Sequence, residues 1–229
     1  GQIVDLLGQD YGPPNLNTQG IKTQPDWLYS FFKNPITIRP NLQVRMPSFT
    51  MFSDDDWNSL IGSLQHLENH KLSFESDMIV DKNTTEFKAG KKLHEFGACN
   101  NCHFYGEIKP VQGPESWAPN LAMTKERLRP EWVQQWLKNP QEIMPGTKMP
   151  AVYLPTPDIL DSDGSVEVWG SDLVNMSDNT DLMLKGITNY IYTIPGKTDI
   201  SDLVREYFKT NGYDYNTGDE EEDDWDEDW

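Results

Sequence analysis

Along several stretches of the chain, apolar positions recur every three to four residues, the spacing of one helical face. From Thr84 to Phe96, residues Phe87, Ala89, Gly90, Leu93 and Phe96 share such a face. A glycine inside a helix costs stability unless another backbone or a ring must come close. A second helix is expected over residues 179–193, where Leu184, Ile187, Tyr190, Ile191 and Ile194 are suitably spaced and Pro195-Gly196 stops the run. It is expected to pack on the Gly90 helix, with Tyr190 as the candidate for the close approach. Trp132 and Trp136, four apart between Pro130 and Pro140, lie on one helical face. Nearer the front, Ser53 with Asp54, Asp55 and Asp56 reads as a helix cap. Trp57, Leu60, Ile61, Leu64 and Leu67 follow on one face. Residues 199–209 form one more short helix, whose packing partner the sequence does not decide.

These patterns predict an all-α fold with long loops. One stretch departs from them. In the long segment from Ala151 to Met176, Val166-Glu167-Val168-Trp169 is expected as a small β-hairpin. Just before it, Asp161-Ser162-Asp163-Gly164-Ser165 reads as a plain turn rather than a calcium loop. The positions that would need a turn glycine and a closing glutamate hold Val166 and Asp172.

The front of the chain repeats part of the rear. At an offset of 105 residues, Pro14-Asn15-Leu16 falls on Pro119-Asn120-Leu121, Pro25 on Pro130, and Trp27 on Trp132. The same offset aligns Lys33-Asn34-Pro35 with Lys138-Asn139-Pro140, Ile38 with Ile143 and Pro40 with Pro145. With a shift of two residues, Met46-Pro47 falls on Met149-Pro150.

Composition narrows the functional classes. The formal net charge of −18 argues against nucleic acid as a partner, because phosphate would be repelled. Nine acidic residues lie in the last eleven, Asp219 to Trp229, and without them the charge is about −9. That tail reads as a solvated terminus, with docking to a basic surface through Trp225 and Trp229 as the alternative. No apolar run reaches the length of a membrane span, no signal peptide is visible, and the chain starts at Gly1 rather than Met.

The two cysteines stand in Cys99-Asn100-Asn101-Cys102-His103. This spacing reads as covalent attachment of a c-type haem, each thiol forming a thioether and the histidine reaching the iron. A zinc site would need further ligands, and His66, His70 and His94 offer no convincing second half-site. A thioredoxin-like pair would need a strand and a βαβ pattern. A disulfide across two residues would leave His103 unexplained.

With Ala118-Pro119-Asn120-Leu121 and Met144-Pro145-Gly146-Thr147-Lys148-Met149-Pro150 following the motif, residues 85–195 resemble the class I cytochromes c. The resemblance implies that the Pro119 carbonyl orients His103, that Met149 is the second iron ligand and that Leu121 belongs to the haem wall. Met144 is the nearest competitor for the iron and Met123 a more distant one. Trp132 or Trp136 is expected in the core, with an indole N–H available to a haem propionate. His94, on the helix that carries the cysteines, is expected to be exposed.

On this resemblance, residues 1–71 are a partial or degenerate cytochrome c-like domain without a haem motif. Residues 72–83 are a linker, 84–196 the haem domain, and 197–229 a short helix with the acidic tail. Met46 then has no iron, and the positions matching the haem motif fall before Gly1. The front domain, lacking a first helix, exposes apolar surface that the haem domain, another subunit or further residues must cover.

The expected function is electron transfer through one covalent haem c with His/Met ligation. The expected setting is a periplasmic or otherwise extracytoplasmic subunit of a larger membrane-associated respiratory or photosynthetic complex, with redox proteins as partners. A haem enzyme with a labile sixth ligand, and a mainly structural subunit, are the alternatives.

Overall fold

A computed structural model describes residues 16, 18–42, 46–68 and 79–211. Most of the connector expected at 72–83, together with His70, Pro14-Asn15 and the acidic tail, lies outside the described residues. The elements run α1 (Gln19–Lys22), α2 (Pro25–Lys33), α3 (Asp54–Leu67), α4 (Thr85–Phe96), α5 (Thr124–Arg127), α6 (Pro130–Lys138) and α7 (Pro140–Ile143). They continue with α8 (Pro157–Leu160), α9 (Ser165–Trp169), α10 (Ser171–Val174), α11 (Thr180–Ile191) and α12 (Ser201–Thr210). Among the described residues there are isolated β-bridges and no sheet, so the fold is all-α.

Helix starts follow local chemistry. The Thr84 hydroxyl accepts from the Phe87 amide at 3.2 Å, and the Asn179 side chain from the Leu182 amide at 3.0 Å. Ser53 and Asp56 form a reciprocal capping box, with the Ser53 amide donating to the Asp56 carboxylate at 2.8 Å.

α4 and α11 pack against each other more extensively than any other pair of elements. Their crossing is glycine on glycine. A methyl group built on Gly90 would collide with the backbone of Gly186 and Ile187, and one on Gly186 with the Glu86 carbonyl. Gly186 therefore makes the close approach expected of Tyr190. The Tyr190 ring instead packs beside the crossing, with its centroid 5.8 Å from Phe87 and 4.7 Å from His94. Leu93, Ile187, Leu184 and Met183 fill the main core around this contact, and Val133 and Leu137 of α6 close it.

The segment after Met149 corrects the expected hairpin: residues 165–169 are the helix α9. Pro157 occupies the first turn of α8, and Gly164 and Gly170 adopt positive φ on either side of α9. Short helices separated by these turns let Leu160, Leu173 and Met176 all reach the main core, and Trp169 packs on Phe96 with centroids 4.2 Å apart. α12 covers the other side of the cysteine motif, where Ile200, Val204 and Phe208 enclose Phe104 and Trp117.

The front segment has its own aromatic core of Leu28, Phe32, Trp57 and Ile61, with Met46 packed against it. On α3 the expected apolar face is only partly used: Trp57 and Ile61 are buried, while Leu60 and Leu67 are exposed. α2 and α6 match at the repeat offset: both have nine residues, both begin with proline, and both are capped by an asparagine with φ near −150°. The two segments touch through a reciprocal pair of bonds. The Gln24 amide donates to the Arg127 carbonyl at 2.8 Å, and the Arg129 amide to the Lys22 carbonyl at 2.9 Å. The Gln24 side chain adds bonds to the carbonyls of Lys125 and Leu128.

Candidate functional site

The site begins where α4 ends. Gly97 closes the helix and Ala98 turns left-handed, with φ of 47°, a conformation that costs a non-glycine residue about 1–2 kcal/mol. A single 3-10 turn over Cys99–Asn101 follows, and the His103 amide donates back to the Cys99 carbonyl at 2.9 Å. Both thiols are free and half-buried. Burial pushes the Cys99 thiol up to about 11, so it stays protonated. Cys102 Sγ lies 3.5 Å from Gln112 Oε1.

Residues 117–121 run alongside 102–104. The Ala118 amide donates to the Cys102 carbonyl at 2.7 Å, and the Leu121 amide to the Phe104 carbonyl at 2.9 Å. This pairing sets the Pro119 carbonyl 2.7 Å from His103 Nδ1. A carbonyl only accepts, so Nδ1 carries the proton and Nε2 is left with its lone pair. Burial lowers the His103 pKa below its ordinary value against the opposing effect of the Pro119 bond, which keeps the ring neutral.

Asn120 holds this loop, and nothing in the sequence pattern singled it out for that role. Its Oδ1 accepts from the amides of Gly106 and Ala122, while Nδ2 donates to the carbonyls of Lys197 and Thr198. The side chain is buried and all four of its hydrogen-bonding positions are used.

His103 and Cys99 open on a cavity of about 460 Å³, within the size range of small-molecule and cofactor sites. Pro119, Leu121, Trp132 and Met149 all line it, so the cavity collects every expected site residue except Cys102. Val133, Leu137 and Ile191 supply apolar wall. Met144 and Met123 also line it; Met123 is fully buried. Trp136 lines the cavity too, and its indole N–H donates to the Met149 sulfur at 2.8 Å. Trp132 Nε1 and Arg127 Nε are buried without a hydrogen-bond partner among the described residues. A mostly apolar cavity that ends in orphaned donors, with the Cys99 thiol and the His103 imidazole at its edge, fits a flat apolar cofactor with acidic groups.

His94 corrects an expectation. It is only 5% exposed, because Tyr105 from the loop after the motif and Tyr190 from α11 cover the end of α4. Its Nε2 shares a 2.8 Å hydrogen bond with the Tyr105 hydroxyl, and it does not line the cavity. His66 is exposed on α3, and no cluster of three metal-binding side chains occurs among the described residues. The turn at 161–165 likewise gathers no such cluster.

Sequence reasoning also missed the cavity's cationic rim. Lys22 and Arg39 from the front segment line the cavity with Arg127. Lys22 Nζ lies 4.8 Å from the centroid of the Trp132 ring, and Arg127 Cζ 5.3 Å from that of Trp27. The repeat offset, which relates Lys22 to Arg127 and Trp27 to Trp132, was the one signal pointing there.

No family model matches the chain, and no solved structure matches it. Among curated proteins it is similar to cytochrome c oxidase subunit 2 of Bacillus subtilis (strain 168), with 31% identity over 110 residues. The match covers 44% of this chain and 28% of that protein, so the chain spans less than a third of its relative's length. No helix among the described residues is long and apolar enough to cross a membrane.

Proposed function

We propose that this chain carries one haem c, bound covalently through Cys99 and Cys102, and passes single electrons within a membrane-associated redox complex. The observation that carries this reading is the His103 Nδ1–H bond to the Pro119 carbonyl at 2.7 Å. A backbone carbonyl that fixes the tautomer prepares Nε2 as a metal ligand and raises its basicity. It does so in a cavity that also receives Cys99 and Met149.

A bound haem supplies the one-electron couple. The residues around it do the rest. Cys99 and Cys102 would fix the cofactor's position, and His103 and Met149 would both hold its iron, which would favour electron transfer over substrate binding. The thioether of Met149 raises the reduction potential relative to a second imidazole. Trp136 holds that sulfur through its indole N–H. Leu121, Val133, Leu137 and Ile191 exclude water. On this reading the front segment is a cytochrome c-like half without a haem, and Met46, packed in its aromatic core, binds no iron.

Membership of a redox complex is supported by the similarity to an oxidase subunit. On this reading the location is extracytoplasmic, because thioether attachment of haem takes place outside the cytoplasm in bacteria.

Two measurements test the reading. The intact mass of the native protein should exceed that of the polypeptide by one haem. In Met149→Ala the sulfur-to-iron charge-transfer absorption should vanish and the potential should fall, while Met144→Ala and Met123→Ala keep both. An unchanged spectrum in Met149→Ala would remove that residue as ligand, and a mass without adduct would remove the haem.

A further inference from the structure

The charges at the cavity rim are one-sided. Lys22 and Arg127 are 6% and 7% exposed, and neither has an ion-pair partner among the described residues. Arg39, half-buried, lines the same cavity. The one acidic side chain on the lining, Glu115, is exposed. Buried cations are normally paired, and cations that face one another without an anion oppose folding. The strain is visible in their protonation: burial, with Arg127 and Arg39 nearby, pushes the Lys22 ammonium well below its ordinary pKa. Burial, with Arg39 nearby, takes Arg127 down to about 9.

We propose that Lys22 and Arg39 of the front segment, with Arg127 and the orphaned Trp132 indole N–H, form a binding site for the two carboxylates of the tetrapyrrole. The proposal rests on the haem reading above and adds the part of the site that the front segment supplies. Two carboxylates bring two negative charges to Lys22 and Arg127, and their oxygens accept from Arg127 Nε and Trp132 Nε1, two donors of cavity-lining residues that have no partner among the described residues. It also gives the front segment a function without a haem of its own. Through the Gln24–Arg127 and Arg129–Lys22 backbone bonds it is held at the distance where Lys22 enters the neighbouring cavity. Cations beside the carboxylates stabilise the site's negative charge and raise the potential at which the iron accepts an electron.

The test uses the native full chain with its haem attached, beside Lys22→Gln, Lys22→Arg, Arg127→Gln and Lys185→Gln. Lys185 is exposed on α11 and outside the cavity. All are measured for intact mass, for midpoint potential and for the carboxylate bending bands in resonance Raman spectra. Lys22→Gln and Arg127→Gln are expected to keep the haem adduct. At fixed ambient potential each should shift the oxidised-to-reduced ratio about tenfold toward oxidised, equivalent to about 59 mV for one electron. The carboxylate bands should move with it. Lys22→Arg should restore both readouts, and Lys185→Gln should leave both at the native values. If Arg127→Gln does not accumulate, the Lys22 pair decides alone. An adduct retained with native potential and bands in Lys22→Gln overturns the carboxylate site while leaving the haem reading intact. A native chain without adduct mass overturns both.

Discussion

Thr23 pairs with Leu128 in an isolated antiparallel bridge, and the two residues occupy the same position in the two sequence repeats, 105 residues apart. The bonds on either side of it are reciprocal: Gln24 to Arg127 and Arg129 to Lys22 are each other's equivalents at that offset. The ring contacts behave the same way, Lys22 on Trp132 mirroring Arg127 on Trp27. A bridge between equivalent residues is the local signature of a two-fold relationship. Here it does more than join two halves, because it brings a lysine of one repeat to the cavity of the other.

Gln24 is the side chain on which that junction depends most. Its Nε2 donates to the Lys125 carbonyl at 3.0 Å and the Leu128 carbonyl at 3.2 Å. Removing it takes the side-chain donor from the Lys125 carbonyl and leaves the Leu128 carbonyl to the Tyr192 hydroxyl, at about 1–3 kcal/mol. Gln24→Ala should therefore speed amide hydrogen exchange at Gln24 and Arg129 while leaving α11 protected. Unchanged exchange at Arg129 would show that the backbone bridge stands without the side chain.

The α4–α11 crossing tolerates no side chain at its centre. Gly90→Ala places a methyl group against the Gly186 and Ile187 backbone, neither of which can rotate away. Overpacking of this kind costs about 3 kcal/mol, or roughly 6–12 °C in Tm for a chain of this size. Gly62→Ala on exposed α3, where an added methyl meets nothing, should be neutral or slightly stabilising. Thermal melts of the two variants side by side provide the comparison. Equal melting temperatures would contradict the crossing geometry.

Asn120 is the post on which the Pro119 loop stands. Asn120→Ala deprives the Gly106 and Ala122 amides and the Lys197 and Thr198 carbonyls of their partner at once. With about 1–3 kcal/mol for each of the two amides whose bonds are buried, a total loss of roughly 2–6 kcal/mol is expected. The denaturation midpoint in urea measures it. A loss below about 1 kcal/mol would mean that water replaces the side chain.

What the sequence disclosed was whatever is local or periodic. The Ser53–Asp56 cap and the helix pairing around Gly90 follow from spacing along the chain, whereas the grouping of Pro119, Leu121 and Met149 with His103 is what the resemblance to the class I cytochromes c implied. What it hid depends on neighbours remote in sequence. Lys22 looks like any surface lysine until the fold seats it against Trp132. Leu60 and Leu67 share a helical face with Trp57, yet no element among the described residues covers them. Residues 166–169 are too short to declare a period, and it is the burial of Leu160 and Leu173 around them that selects helix.

His94 was misjudged for the same reason, and its burial has a measurable consequence. Removal from water, with the His103 ring nearby, lowers its pKa from 6.5 to about 4. The folded protein thus holds His94 neutral over a range in which the unfolded chain protonates it. Between those two values the unfolded state binds more protons, so stability rises with pH there. It is complete above about pH 6.5 and falls away as the pH drops towards 4. The shift corresponds to roughly 3 kcal/mol at most. His94→Phe removes the titration while keeping a ring between Tyr105 and Tyr190, at the cost of leaving the Tyr105 hydroxyl without its partner. Urea denaturation from pH 7.5 to 4.5 should therefore show a steeper loss in the native chain than in His94→Phe, with the variant less stable at neutral pH and the gap narrowing in acid. Parallel curves would place the acid sensitivity on other groups.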